Sequence, residues 1–249
     1  MKALVTGASS GIGYEIAKYL SEIGYDIIAV ARNMDRLEKL RSEAGSHVEL
    51  ISVDLGNEQN CKDLFERVGK DDIDIVVNNA GFGLFGDFWE TGLDTELHMI
   101  RTNITAVHIL TKLFLRKMVE KNRGYIMNVG SLTGFMPGPK MATYYATKSY
   151  VIRLTQAIWQ ELNSIRSNVH ICLLCPGPVD TRFDQVAGVK FDLKYQTSRY
   201  VARVAVDGMF RRKFLIIPGC GPKAIHCLSK ISPDGLNAKA AALIQHSYD

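Results

Sequence analysis

Short apolar runs alternate with stretches of helical period along most of this chain. KALVT, DIIAVA, VELISV, IDIVVNN, GYIMNVGS, HICLLC and KFLIIPG are continuous apolar runs rather than in–out alternations. That pattern predicts parallel strands covered on both faces. Between them the sequence predicts helices over Ile12–Glu22, over MDRLEKLRSEA with Asn33 as cap, over NCKDLFERV, over Tyr144–Leu162 and over Arg199–Phe210. A long helix is predicted from Thr95 to Glu120, with its buried stripe along Leu97, Ile100, Ile104, Val107 and Leu110 or Thr111. Strand–helix alternation with right-handed crossovers makes this an α/β chain. The expected architecture is a single doubly wound Rossmann-type domain over residues 1–249, with a seven-stranded, mostly parallel sheet and helices on both faces. Its site should lie at the carboxyl ends of the strands.

Two stretches break the alternation. Residues 180–196 mix Phe183, Val186, Phe191 and Tyr195 with polar residues and leave the sixth strand's carboxyl end, which suits a substrate lid. Residues 222–249 read as a helical extension of two amphipathic pieces, with Ser232 as cap and Pro233 as first helical position of the second.

Composition narrows the class. At 249 residues, 47% of them apolar, the chain fits one large domain. A net charge of +4, scattered along the chain, gives no reason to expect a nucleic-acid partner. The apolar run in MKALVTG is too short for a signal peptide and no segment reaches membrane-span length, so a cytoplasmic protein without a membrane partner is expected. Five cysteines do not suggest a disulfide framework. Cys172 and Cys175 form a C-x-x-C, but in a β-type run their odd spacing sends them to opposite faces as buried thiols. Six dispersed histidines show no ligand spacing, and no metal site is expected.

The chemistry begins at TGASSGIG, directly after the first strand. Gly7 permits a tight turn, Gly11 lets backbone N–H groups approach a pyrophosphate, and Gly13 allows close helix–strand packing. Further along, YYATK sets Tyr144 and Tyr145 four and three residues before Lys148, and both spacings make helical neighbours. Periodicity alone leaves the choice between the two tyrosines open. A phenol with a pKa of about 10 is a poor proton shuttle, and a cation one turn along favours its phenolate.

Other motifs follow in order: NNAG at Asn78–Gly81, Asn103 in T-N-I-T, Ser131 after the fifth strand, Y-x-x-x-K, and Pro176-Gly177 with Thr181 beyond. Together they resemble the classical short-chain dehydrogenase/reductase family over nearly the whole chain. The resemblance selects Tyr144, four residues before the lysine, as the acid–base group. It implies that Ser131 orients a carbonyl, that Lys148 grips the nicotinamide ribose, and that Asn103 holds a water in a proton relay. It implies further cofactor contacts from Ser9, Ser10, Ile12, Asp54, Leu55, Asn79, Ala80, Gly81, Pro176, Gly177, Val179 and Thr181. Hydride transfer would be pro-S. The helices near 95–120 and 144–162 form a dimer seam in such proteins, which implies a homodimer or homotetramer. Tyr145, where relatives often carry a smaller residue, is expected to pack against the next helix or a partner subunit.

The end of the second strand bears on the cofactor. Ala31 stands where an NAD-selective site presents an acid, and Arg32 and Asn33 follow. A guanidinium suits a 2′-phosphate, so NADP(H) is expected over NAD(H), although Ser10 stands where NADP-using relatives often carry a base. The expected activity is that of an NADP(H)-dependent carbonyl reductase or alcohol dehydrogenase acting on a ketone, an aldehyde or a secondary alcohol. Phe82, Leu84, Phe85, Phe88, Leu132, Phe135, Met136 and Met141, with the aromatics of residues 180–196, suggest an apolar substrate pocket. The competing reading is a catalytically inactive NADP(H)-binding regulator.

Overall fold

A computed structural model describes residues 1–45 and 47–248. The chain runs β1 (Lys2–Thr6), α1 (Gly11–Glu22), β2 (Asp26–Ala31), α2 (Met34–Ala44), β3 (Val48–Ser52), α3 (Glu58–Val68) and β4 (Ile73–Asn78). It continues through α4 (Leu93–Ile100), a π-helical turn (Arg101–Ala106), α5 (Val107–Lys121), β5 (Tyr125–Val129), a 3₁₀ turn (Leu132–Phe135), α6 (Ala142–Ser164) and β6 (His170–Leu174). The last third carries β7 (Val179–Asp180), α7 (Phe183–Ala187), β8 (Val189–Phe191), β9 (Gln196–Thr197), α8 (Ser198–Phe210), β10 (Leu215–Ile216), α9 (Cys220–Ile231), α10 (Asp234–Ile244) and β11 (Gln245–Ser247).

Seven strands form one sheet in the order β3-β2-β1-β4-β5-β6-β10, and every pair in it is parallel. This is the Rossmann-type α/β fold that the alternation predicts. The apolar runs bury both faces. One layer packs α1, α2 and α8 against Ala3, Val5, Ala29 and Cys172. The other packs α3, α5 and the end of α6 against Leu4, Ile28, Val76 and Ile171. Cys172 and Cys175 are both fully buried and belong to different clusters, so the C-x-x-C is split between faces. Strand order reverses between β1 and β4, which opens a crevice at their carboxyl ends.

The expected single helix over 95–120 is in fact three pieces, and this moves its buried face. Each i→i+5 turn adds a residue, so the π segment rotates what precedes it relative to α5. Glu96, Met99, Thr102 and Asn103 are buried on the first half, whereas Leu97 is exposed and Ile100 and Ile104 are half-buried. From Val107 onward the expected stripe holds, through Leu110, Thr111, Phe114 and Met118.

Residues 180–196 are more ordered than an irregular loop. Thr181 Oγ1 accepts from Phe183 N at 3.1 Å and starts α7. β8 then pairs antiparallel with β11, joining the segment to the end of the chain. The second tail helix caps one residue later than expected, at Pro233, because Ser232 ends α9.

Four buried side chains tie the central elements together. Asn78 Nδ2 donates to Thr111 Oγ1 at 3.0 Å and to Asn128 Oδ1 at 2.9 Å. Asn128 Nδ2 donates to Thr155 Oγ1 at 3.0 Å. The chain of bonds runs from β4 through α5 and β5 to α6, the elements that carry most of the site.

Candidate active site

A cavity of about 720 Å³ lies along the carboxyl ends of the strands. At its centre Gly7 and Gly11 take φ of 67° and 60°, in the left-handed region that glycine enters without strain. A methyl group at Gly11 would lie 2.8 Å from the Thr181 Cγ2, and one at Gly13 2.3 Å from Asn79 Nδ2 and 2.6 Å from the Gly7 oxygen. Gly13 does not line the cavity; it lets α1 sit close to the loop after β4. Asn79 Nδ2 donates to the Thr6 oxygen at 2.9 Å, and Thr6 Oγ1 accepts from the N–H groups of Asn79 and Ala80. The two switch-point loops are thereby fixed to each other. Ser10 caps α1 without a side-chain hydrogen bond, which leaves the first-turn N–H groups facing the cavity for an anion.

One end of the cavity is lined by Ala31, Arg32, Asn33, Asp54 and Leu55. Asn33 Oδ1 accepts from Arg36 N at 2.9 Å and starts α2. Arg36 also lines the cavity. The sequence reading missed this second cation, although its place three residues after the expected cap Asn33 was visible.

Tyr144 and Lys148 sit one turn apart in the opposite wall, 7% and 6% exposed. Lys148 Nζ donates to the Val129 oxygen at 2.9 Å and lies 5.8 Å from the Tyr144 ring centre. Burial pulls the Lys148 ammonium down to about 8. Burial also pushes the Tyr144 phenol well above its ordinary value, while the nearby Ser131 and Thr133 hydroxyls oppose it. Burial is the largest influence on this phenol in the fold, and it acts against the phenolate that Lys148 is expected to favour. Ser131 Oγ accepts from Thr133 N at 3.2 Å and caps the 3₁₀ turn, which holds the serine in the cavity wall.

Asn103 lies in the π turn and does not line the cavity. Its Oδ1 accepts from Phe82 N at 3.1 Å, and its Nδ2 donates to the Phe82 oxygen and to Thr147 Oγ1. The side chain is thus committed to clamping the residue 81–82 loop against α6.

Tyr145 is buried, lines the cavity beside Tyr144, and shares a cluster with Ala187 of α7. Its Oη donates to Gln245 Oε1 at 3.2 Å, and Gln245 Nε2 donates to the Pro139 oxygen. The remaining expected contacts, Ser9, Ser10, Ile12, Asn79, Ala80, Gly81, Pro176, Gly177, Val179 and Thr181, all line the cavity.

The apolar end differs in membership from the expected pocket. Phe82, Leu132 and Met136 line it, but Leu84, Phe85, Phe88, Phe135 and Met141 do not. Phe88 is exposed, and the others pack in clusters behind the wall. Phe183 and Phe191 of the 180–196 segment line it as expected, Tyr195 does not, and Val186, Leu193, Ile225 and Ile244 complete the wall. Only tertiary packing brings α9 and α10 to this mouth, so no local signal marked Ile225 or Ile244.

A parallel sheet with its strand order reversed beside a glycine loop, and a cavity lined by both, define a dinucleotide-binding α/β fold. The family description "short chain dehydrogenase" matches residues 1–189. An uncharacterized oxidoreductase of Staphylococcus epidermidis is 35% identical over 181 residues, covering 72% of this chain and 78% of that protein. A short-chain dehydrogenase from Sphingobium yanoikuyae in complex with NADPH superposes with a TM-score of 0.82 at 30% identity, covering 93% and 96% of the two chains. A Burkholderia phymatum short-chain dehydrogenase/reductase in complex with NAD shares the fold, with a TM-score of 0.82 at 23% identity over 91% and 92%. The chain belongs to the short-chain dehydrogenase family, and it is an oxidoreductase built for a nicotinamide cofactor. Relatives of the same fold carry either nicotinamide, so the choice rests on the residues after β2.

Proposed function

We propose that the protein is an NADP(H)-dependent carbonyl reductase, interconverting a ketone or aldehyde with its alcohol. The single observation that carries this reading is Tyr144 beside Lys148, both buried yet lining the cavity that holds the glycine loop. The loop without side-chain caps at α1, the close approach allowed by Gly7 and Gly11, and Arg32 with Arg36 at one end fit a dinucleotide with an added 2′-phosphate. That cofactor supplies or accepts the hydride.

The chain's own groups do the rest. Ser131 Oγ donates to the substrate oxygen, where negative charge develops. Tyr144 Oη gives that oxygen its proton. A phenol is protonated at neutral pH, the state a proton donor needs, and burial opposes its ionisation. The NADP(H) preference favours reduction as the working direction. Lys148, still largely cationic at neutral pH, stabilises the phenolate left behind and donates to the nicotinamide ribose. Asn103 and Thr147 hold the loop after β4 against α6, which fixes the distance across the site. The two hydroxyl-bearing residues, the lysine and this asparagine form the proposed catalytic set.

The lid role of residues 180–196 belongs to the same proposal: α7 and β8 cover the apolar end of the cavity. Assembly through the outer faces of α5 and α6 is proposed as well; His108 and Tyr150 pair there at 2.7 Å, both exposed in the single chain. The test of function is NADPH oxidation with alcohol formation against a panel of ketones and aldehydes, with NADH in parallel. NADPH consumption without alcohol product would overturn the reading.

A further inference from the structure

Two carboxylates line the cavity. Asp54 serves the end near Arg32, where its Oδ1 accepts from Gly56 N at 2.9 Å. Asp184 lies at the opposite, apolar end, on α7 beside Phe183, whose ring stands 5.2 Å from that of Tyr144. It is only 8% exposed. A buried carboxylate is costly unless its oxygens are satisfied. Here Oδ2 accepts from the Tyr195 hydroxyl, and Oδ1 has no hydrogen-bond partner among the described residues. Tyr195 Oη also accepts from Phe191 N at 2.9 Å, so its hydroxyl is committed on both sides and holds Asp184 in one orientation.

This arrangement has no use for the cofactor, whose phosphates would repel an anion. With Oδ2 held by Tyr195, Oδ1 is left to accept a hydrogen bond from a ligand in the cavity that Asp184 lines. Resting on the reductase reading above, we propose that Asp184 is a substrate-specificity residue. It accepts a hydrogen bond from a hydroxyl group placed away from the reacting carbonyl on an otherwise apolar substrate. A neutral O–H donor suits the site better than an ammonium, because Lys148 and Arg182 line the same cavity and would repel a cation. Phe183, Phe191 and Leu193 supply the apolar wall around the hydroxylated portion. Tyr195 acts through Asp184 and is a positioning residue.

The test uses 4-phenylbutan-2-one and its para-hydroxy derivative, which differ by one hydroxyl. Affinity of each for the NADP⁺-loaded protein is measured by calorimetry, and reduction of each by NADPH is followed separately. A buried charged acceptor is expected to favour the hydroxylated ketone at least about tenfold in affinity. Asp184→Ala is expected to bring that ratio to about one. Asp184→Asn, which can keep the Tyr195 bond and so the packing of α7, should lower the ratio without lowering the melting temperature. A wild-type ratio near one, a ratio unmoved by both substitutions, or failure of both ketones to bind would overturn the assignment. Binding with the expected ratio but no reduction of either ketone would overturn the reductase reading alone.

Discussion

Tyr145 Oη donates to Gln245 Oε1 at 3.2 Å, joining the centre of the molecule to its last strand. Because β11 pairs with β8, this one bond connects α6 to the segment that covers the cavity. Both adjacent tyrosines line the cavity, and Tyr145 also tethers the chain end; in the proposed reading Tyr144 is the acid. Tyr145→Phe is expected to cost about 1 kcal/mol, the usual worth of one buried hydrogen bond. For a chain of this size that lowers the melting temperature by about 2–4 °C. Calorimetry reads this directly, and an unchanged melting temperature would deny the tether.

Arg32 and Arg36 flank Asn33 at one end of the cavity, and that placement carries the cofactor choice. Arg32→Ala should weaken NADPH binding about 10–100-fold, the worth of a charge-assisted contact, and leave NADH nearly unaffected. Arg36→Ala should act in the same direction. Fluorescence titration with both cofactors checks this; equal losses for NADPH and NADH would assign the arginines a merely structural part.

Burial holds Lys148 near a pKa of about 8 in the fold, against about 10.4 in an unfolded chain. Between those values the unfolded chain binds more protons than the folded one. The penalty of the buried cation is therefore fully present below pH 8 and relieved as pH rises toward 10.4. The stability of wild type minus that of Lys148→Met should rise over this window by an amount on the order of 3 kcal/mol. Denaturant titrations of both proteins from pH 7 to 10.5 test it, and a flat difference would place the lysine in water.

Asn128 is fully buried and joins β5 to Asn78, Thr111 and Thr155. Removing it takes a buried hydrogen bond from each of three partners, although Asn78 and Thr111 keep each other and Thr155 keeps the Val151 oxygen. Asn128→Ala should therefore cost about 2–4 kcal/mol. Chemical denaturation measures the loss, and a cost below about 1 kcal/mol would show that the partners find other bonds.

Much of this was legible in the sequence because it depends on local pattern. Buried parallel strands announce themselves as unbroken apolar runs, Gly7 and Gly11 mark a turn that other residues make only with strain, and Gly13 marks a close approach of helix and loop. The π turn was not legible: Leu97, Ile100 and Ile104 fit a regular stripe, and only packing of Asn103 against Phe82 reveals the rotated register. Nor was the make-up of the apolar end. Phe88 and Ile244 look equally suitable in sequence, but one is left in solvent and the other is brought to the cavity by a strand pairing 50 residues or more along the chain. Gln245 and Asp184 are ordinary polar residues until tertiary structure buries them.

The central claim is that the buried Tyr144–Lys148 pair delivers the proton in carbonyl reduction. The most direct measurement is single-turnover reduction of a ketone by bound NADPH in wild type, Tyr144→Phe and Tyr145→Phe. The account predicts a rate loss of about 10²–10⁴-fold in Tyr144→Phe, the range for removal of a general acid, with NADPH affinity retained and Tyr145→Phe within a few-fold of wild type. Full activity in Tyr144→Phe, or an equal loss in both variants, would contradict it.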